Sequence, residues 1–80
     1  MNINSFIKGV QILTKYYNIE NQFVLGADHD KIFFYPTDRE VSNEDFNTLQ
    51  EIGWIQDGSE FDFILNQFIY DQELDWVTYL

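Results

Sequence analysis

The densest set of structural signals in this sequence surrounds one segment and predicts a helix over residues 43–52 with both ends fixed. Ser42 is suited to the N-cap position, and Asp45 follows where a capping box has an acidic side chain that bonds back to the cap. Gly53 can adopt the left-handed conformation that ends many helices in a Schellman motif. The apolar residues that we expect to pack around this helix are Val41, Phe46, Leu49, Ile52 and Trp54.

An earlier helix is predicted over residues 3–17, where apolar side chains recur every three or four positions. Asn2 or Asn4 can cap its start, and Asn18 is suited to a left-handed C-cap. Gly9 costs this helix up to about 1 kcal/mol relative to Ala, so packing must hold it together.

Between the two helices, the sequence predicts a pair of strands. Residues 23–25 and 32–35 are rich in β-forming side chains, and residues 26–31 are a plausible hairpin connection. Pro36 ends the second strand because it has no backbone N–H to donate to a sheet.

The last third of the chain is predicted to be rich in β structure. Asp57 and Gly58 are a strong type I′ turn pair, which predicts that residues 54–56 form a hairpin with a strand starting near Glu60. Residues 74–80 are again dominated by β-forming side chains.

Residues 61–69 fit two structures. Their apolar side chains alternate as in a strand, and several of them also fit a helix capped at Ser59. We favour the strand because Phe and Ile dominate the segment. The predicted fold is therefore a small single α+β domain over residues 1–80, in the order α-β-β-α-β-β with a further β or helical segment, and with the helices packed on one face of a short antiparallel sheet.

The composition supports a folded domain that lies free of membranes. Of the 80 residues, 45% are hydrophobic and 19% aromatic, which argues against intrinsic disorder. The absence of cysteine excludes disulfides, and no apolar run approaches a membrane span, so we expect a cytoplasmic protein. Fifteen aromatic residues exceed what a small core buries easily, so Tyr70, Trp76 and Tyr79 are candidate interface anchors, although Trp76 fits the core better.

The charge of the chain is strongly acidic and unevenly distributed. The net charge is −10, and residues 1–40 contain all four cations with five acids, whereas residues 41–80 contain nine acids and no cation. Such a field repels nucleic acid and anionic membranes and attracts basic proteins or cations. Acidity also keeps an aromatic-rich protein soluble, but that does not explain why one half lacks cations. Mutual repulsion should raise the pKa values of these acids and increase stability as the pH falls from 7 towards about 5.

Acids of the second half recur at alternate positions in two places. These are Glu60 and Asp62, and then Asp71, Glu73 and Asp75. In a strand, such residues share a face about 6.6 Å apart, so the rows resemble nucleic-acid phosphates in charge and rough spacing. The alternatives are a solvated sheet face or a loop, or a helix in which Glu73 turns away from its neighbours. The residues that we expect to bind a partner are Glu44, Asp45, Glu51, Asp57, Glu60, Asp62, Tyr70, Asp71, Glu73 and Asp75.

No catalytic motif or cofactor-binding motif is present, so we predict neither enzymatic activity nor a cofactor. His29 lies between Asp28 and Asp30, which could contribute to a general base or to a divalent metal site. Consecutive residues in a strand or tight turn point apart, however, so a polar hairpin turn is the better interpretation.

Two stretches resemble small acidic proteins of bacteriophages and other mobile elements. They are Ala27-Asp28-His29-Asp30-Lys31-Ile32-Phe33-Phe34, and Val41-Ser42-Asn43-Glu44-Asp45 with Leu49-Gln50-Glu51-Ile52-Gly53-Trp54. In being short, acidic and free of cysteine, the chain also resembles phage-encoded inhibitors of host defence, including anti-CRISPR proteins. Some of those inhibitors are DNA mimics that occupy the nucleic-acid channel of a nuclease, and no individual functional residue is carried over from them.

The sequence therefore predicts a non-catalytic, phage-type inhibitor that binds a basic nucleic-acid groove of a host protein, such as a CRISPR effector, in the bacterial cytoplasm. We expect no direct binding to nucleic acid or membrane. Two alternatives stay open. One is a structural or assembly protein whose aromatic residues form an oligomer interface, for example in a homodimer, and the other is a divalent-cation-binding domain centred on Asp28, His29 and Asp30.

Overall fold

Two helices and six short strands form from residues 2–18, 20 and 23–79, which are the residues that the computed structural model describes. In chain order the elements are α1 (Ile3–Thr14), β1 (Leu25–Asp28), β2 (Lys31–Phe34), α2 (Asn43–Glu51), β3 (Ile55–Gln56), β4 (Phe61–Asp62), β5 (Gln67–Phe68) and β6 (Trp76–Tyr79). The predicted α+β class and its order of elements are confirmed.

The last strand, β6, lies in the interior of the main sheet. This sheet has the order β1-β2-β6-β3, and all of its neighbouring strands are antiparallel. β6 pairs with β2 from Tyr79 opposite Lys31 to Trp76 opposite Phe34, and its other edge pairs with β3. The predicted β structure near the end of the chain is confirmed, and its position between two partners buries Trp76, Val77 and Thr78.

Both helices contribute to one aromatic core on one face of this sheet. The rings of Phe34 and Trp54 lie 5.5 Å apart between their centroids, and those of Phe46 and Trp76 lie 5.8 Å apart. Trp76 therefore closes the core, as the sequence favoured. The buried residues of the core cluster are Ile12, Leu13, Tyr17, Phe34, Val41, Phe46, Leu49, Trp54 and Trp76.

The predicted ends of the helices are largely confirmed. The side chains of Asn2 and Ser42 cap the starts of α1 and α2. Gly53 has a φ of 98°, and the N–H of Trp54 donates to the carbonyl of Leu49 at 2.8 Å. This bond belongs to a Schellman ending, so the left-handed glycine is required where the sequence placed it.

The end of α1 differs from the prediction. The helix stops at Thr14, and Lys15 is its C-cap, so the assignment of Asn18 to that position is wrong. The carbonyl of Tyr16 instead accepts hydrogen bonds from the N–H groups of Asp38 and Arg39, at 3.0 and 3.2 Å. The chain leaves the helix early because this backbone segment binds the loop that follows β2.

The hairpin between β1 and β2 is tighter than the predicted six-residue connection. Asp28 pairs with Lys31, which leaves only His29 and Asp30 in the turn. His29 has a φ of 43°, a left-handed conformation that permits such a short turn. β1 therefore begins and ends later than predicted, at Leu25 and Asp28.

The segment after α2 contains the main corrections to the predicted topology. A turn forms at Asp57-Gly58, but it does not join two paired strands: β3 pairs with β6, and β4 pairs with β5. Residues 61–69 are neither one strand nor a helix, because a four-residue turn at 63–66 divides them into β4 and β5. The last acidic segment, residues 71–75, is a turn rather than a strand.

Candidate binding site around the β4–β5 hairpin

The β4–β5 hairpin is a separate two-stranded sheet whose turn is held by one of its own side chains. Phe61 pairs with Phe68 in this hairpin. One carboxylate oxygen of Asp62 accepts hydrogen bonds from the N–H groups of Ile64 and Leu65, at 2.9 and 3.2 Å. Asn66 closes the turn with a φ of 55°. Asp and Asn favour such turns because their side chains bond locally and Asn tolerates the left-handed region.

Three consecutive apolar side chains in this turn point into solvent. Phe63, Ile64 and Leu65, which we call the apolar tip, have exposed fractions of 86%, 95% and 63%. Single exposed apolar residues are ordinary on protein surfaces, whereas a contiguous exposed group is typical of interaction sites. The ring of Phe63 lies edge-on to that of Phe61, with 5.0 Å between their centroids.

The base of the hairpin is fixed to the main sheet by a buried amide. The side chain of Gln56 donates to the carbonyl of Asp71 and accepts from the N–H of the same residue at 2.9 Å. The hydroxyl of Ser59 donates to the carbonyl of Ile69 at 2.6 Å. Gln56 therefore ties the end of the hairpin to β3, and Ser59 ties the start of the hairpin to its end.

Tyr70 also anchors the hairpin to the domain. Its ring lies edge-on to Phe46 at a centroid distance of 5.4 Å, and its hydroxyl accepts the backbone N–H of Val41 at 2.9 Å. Tyr70 was predicted to bind a partner, and these contacts give it a structural role in addition to its place in the lining of both depressions beside the hairpin. Phe68 likewise packs against the core cluster.

Two depressions border the hairpin. A groove of about 400 Å³ lies between the hairpin and the start of α2, and Asp62 and Leu65 contribute to its wall. A second depression of about 310 Å³ includes Glu60 and Asp71 in its lining. The hairpin thus brings three of the predicted acids, Glu60, Asp62 and Asp71, to the borders of two adjoining surfaces.

The acids do not form the straight row that the sequence predicted. Asp71 begins a turn in which its carboxylate accepts the N–H of Glu73 at 2.9 Å and its carbonyl accepts the N–H of Leu74 at 3.3 Å. Such a turn cannot keep alternate residues on one face, because that spacing requires an extended strand. The predicted row at 71–75 is wrong, and the remaining resemblance to a phosphate backbone is one of charge rather than of regular spacing.

Asp45 is held by groups of α1 rather than exposed to a partner. Its carboxylate accepts hydrogen bonds from the hydroxyl of Tyr16 and from the ammonium of Lys15, the latter at 3.0 Å. These contacts, with the Tyr16 hydrogen bond as the largest, lower the pKa of Asp45, although partial burial opposes them. The capping-box bond is therefore replaced: the N–H of Ser42 donates to the hydroxyl of Tyr16 at 3.3 Å.

Asp57 is also close to a cation, with its carboxylate 3.8 Å from the ammonium of Lys31. Glu44 and Glu51 are exposed on α2, and their spacing of seven residues places them on one face of the helix. The predicted site residues thus fall into three groups. Contacts with other parts of the fold hold Asp45, Asp57 and Tyr70, other acids border the hairpin or lie on α2, and Glu73 and Asp75 lie in the turn before β6.

His29 lies in the β1–β2 turn, away from any set of metal ligands. Its side chain is 93% exposed, and a carboxylate oxygen of Asp28 lies 3.7 Å from its Nε2 atom. Within the described part of the chain, no three His, Cys, Asp or Glu side chains are placed to share a metal ion. The geometry of the described residues therefore does not favour the cation site that the sequence left open.

Sequence reasoning missed Gln56 and the apolar tip. Nothing in the local pattern distinguishes Gln56 from a surface amide, since its partner lies 15 positions later in the chain. The tip did carry a signal, because Asp62 and Asn66 bracket it with turn-forming residues.

Comparison of the chain with protein-family models, with curated proteins and with solved structures finds no match. In the part of the chain that the structure describes, neither α1 nor α2 has the length and hydropathy to span a membrane. The function is therefore inferred from the residues of this chain alone.

Proposed function

We propose that the protein is a non-catalytic, phage-type inhibitor that binds a basic, nucleic-acid-handling surface of a host protein. Acids around the hairpin and on α2 take the place of nucleic-acid phosphates in this interaction. An anti-CRISPR role, with a CRISPR effector as the partner in the bacterial cytoplasm, is the most specific form of the proposal.

The observation that carries the proposal is the imbalance of charge in the second half of the fold. Of its nine acids, only Asp45 and Asp57 lie within ion-pair distance of a lysine among the described residues. A surface with this surplus of carboxylates attracts a basic partner and accelerates its association.

The arrangement of the acids favours binding through patches rather than along a straight groove. Glu60 and Asp71 border one depression, Asp62 borders the neighbouring groove, and Glu44 and Glu51 lie on the exposed face of α2. A basic surface that normally contacts several phosphates can pair with such patches without requiring the regular spacing of a nucleic-acid strand.

The first test is capture of the partner from a bacterial lysate with the full chain, at low and at high salt, followed by binding measurements with the purified partner. Glu60→Gln combined with Glu51→Gln, one acid beside the hairpin and one on α2, is expected to lower the association rate and to reduce the salt dependence of binding. Duplex DNA is expected to compete with the protein for the partner.

A matched control removes the same amount of charge elsewhere. Asp30→Asn combined with Glu40→Gln changes two exposed acids of the first half and is expected to leave the association rate close to that of the wild type. Equal effects of the two double variants would contradict a localised acidic site. Binding that does not depend on salt and that DNA does not compete with would contradict the proposal as a whole.

A second candidate function, assembly of a homo-oligomer, is favoured by two exposed tyrosines on one face of the main sheet. Tyr35 and Tyr79 are 49% and 51% exposed, and Phe33 lies edge-on to Tyr35. Alternation along β2 and β6 places these side chains on the face opposite Phe34 and Trp76. Sedimentation that depends on protein concentration, and that Tyr79→Ser abolishes, would support this candidate.

A further inference from the structure

We propose that the apolar tip, residues 63–65, is an anchor that packs on an apolar patch bordered by lysine and arginine on a partner protein. This inference rests on the proposed function and adds the chemistry of the contact at its centre. It also commits to a partner protein as the occupant, rather than to a membrane or to a second copy of this chain.

The tip has the exposure and the order that an anchor needs. Ile64 is 95% exposed, and its neighbours Phe63 and Leu65 are also mainly exposed. The Asp62 carboxylate holds the backbone of the turn by two hydrogen bonds, and the ring of Phe61 packs edge-on against Phe63. Because the turn is ordered before binding, little conformational freedom is lost when the tip is buried.

The charges around the tip indicate which residues border the apolar patch on the partner. Glu60 and Asp62 lie on the strand side of the tip, and no cation occurs in the sequence between Arg39 and the end of the chain. A bordering ring of lysine and arginine complements these carboxylates. Anionic lipid is repelled by the same charges, and a second copy that met this one tip to tip would bring like carboxylates together.

The test uses two synthetic helical peptides of equal length and equal lysine content. One has a continuous leucine stripe between its lysines, and in the other the leucines are replaced by glutamine. The wild-type protein is expected to bind the leucine peptide more tightly. Ile64→Ser is expected to weaken that binding roughly ten-fold, because the side chain loses its apolar contact, and to leave binding of the glutamine peptide unchanged.

Phe23→Ser is the matched control, since Phe23 is an exposed apolar side chain (87%) outside the hairpin, and it is expected to bind both peptides as the wild type does. Phe63→Ser provides a second tip variant, and circular dichroism checks that each variant is folded. Equal, salt-dependent binding of both peptides would overturn the anchor while supporting the proposed function, whereas binding of neither peptide would overturn both. Loss of phosphatidylcholine vesicle binding or of self-association in Ile64→Ser would also overturn the anchor, because it would assign the tip to lipid or to a second copy.

Discussion

At the scale of single residues, the packing of the core depends on Gly9, which has no side chain where the indole of Trp54 crosses α1. A Cβ built on Gly9 would overlap the Nε1 and Cδ1 atoms of that ring. Trp54 is fully buried, and its ring also contacts Phe6 and Phe34, so it has little freedom to move away. The close approach explains why a residue unfavourable to helices occurs inside α1.

We predict that Gly9→Ala destabilises the protein by about 1–2 kcal/mol. The substitution gains up to about 1 kcal/mol of helix propensity, but overpacking a filled core typically costs about 1–3 kcal/mol. Urea unfolding measures the difference. Gln11→Ala, on the exposed surface of the same helix, is the control and should be neutral or slightly stabilising. If Gly9→Ala stabilised the protein as Gln11→Ala does, the close packing of Trp54 on α1 would be contradicted.

At the scale of elements, the attachment of the β4–β5 hairpin depends on Gln56. Its amide is the partner of both backbone polar groups of Asp71, and its side chain is only 3% exposed. Gln56→Met keeps the approximate size of the side chain but removes the partner of the half-buried N–H of Asp71, and leaves the carbonyl of Asp71 with the N–H of Leu74 alone. We predict a loss of about 1–3 kcal/mol in the free energy of unfolding.

Hydrogen exchange distinguishes local opening of the β4–β5 hairpin from destabilisation of the whole fold. In Gln56→Met, the amide of Ile69, which donates to the carbonyl of Glu60 at 2.8 Å, should exchange faster, whereas amides of α1 should change less. Gln72→Met makes the same chemical change at an exposed position and should leave both stability and exchange near the wild type. Equal stability of the Gln56 and Gln72 variants would show that the amide is not the attachment point.

The elements also show which parts of the fold a sequence can predict. The Schellman ending at Gly53 was predictable because all of its donors and acceptors lie within a few residues. The turn at Asp57-Gly58 was predictable for the same reason, but the partner of β3 was not, since β3 has two residues and pairs with a strand that starts 20 positions later. Short strands contain too few positions for alternation to specify a register.

The candidate site, too, could be predicted from the sequence only in part. Its acids could be identified from sequence because charge does not depend on topology, whereas their regular spacing depended on an extended conformation that residues 71–75 do not adopt. The exposure of Ile64 could not be predicted from the apolar pattern, although the turn-forming residues Asp62 and Asn66 on either side of the tip were a local signal. The same apolar pattern would have been buried if the segment had formed the single strand or the helix that we considered.

At the scale of the whole molecule, two lysines of the first half form ion pairs with acids of the second half. Lys15 of the α1 C-cap contacts Asp45 on α2, and Lys31 of β2 lies near Asp57. We expected repulsion to raise the pKa values of the acids in this half. At Asp45 the direction is the opposite, because the hydroxyl of Tyr16, and then Lys15, stabilise its ionised form.

This direction determines how Asp45 contributes to stability at different pH values. A carboxyl whose pKa is lower in the fold than the ordinary value of 3.8 favours the native state above that value, and the contribution is lost as the pH falls below it. We therefore predict that the wild type is more stable than Asp45→Asn at pH 7, and that the difference shrinks below about pH 4. Urea unfolding of both proteins across this pH range measures the difference.

Because the largest cause is a hydrogen bond from Tyr16, Tyr16→Phe should remove much of the pH-dependent difference, and high salt should remove little of it. A difference between wild type and Asp45→Asn that stayed constant from neutral to acidic pH would mean that the ionised carboxylate does not hold α1 and α2 together.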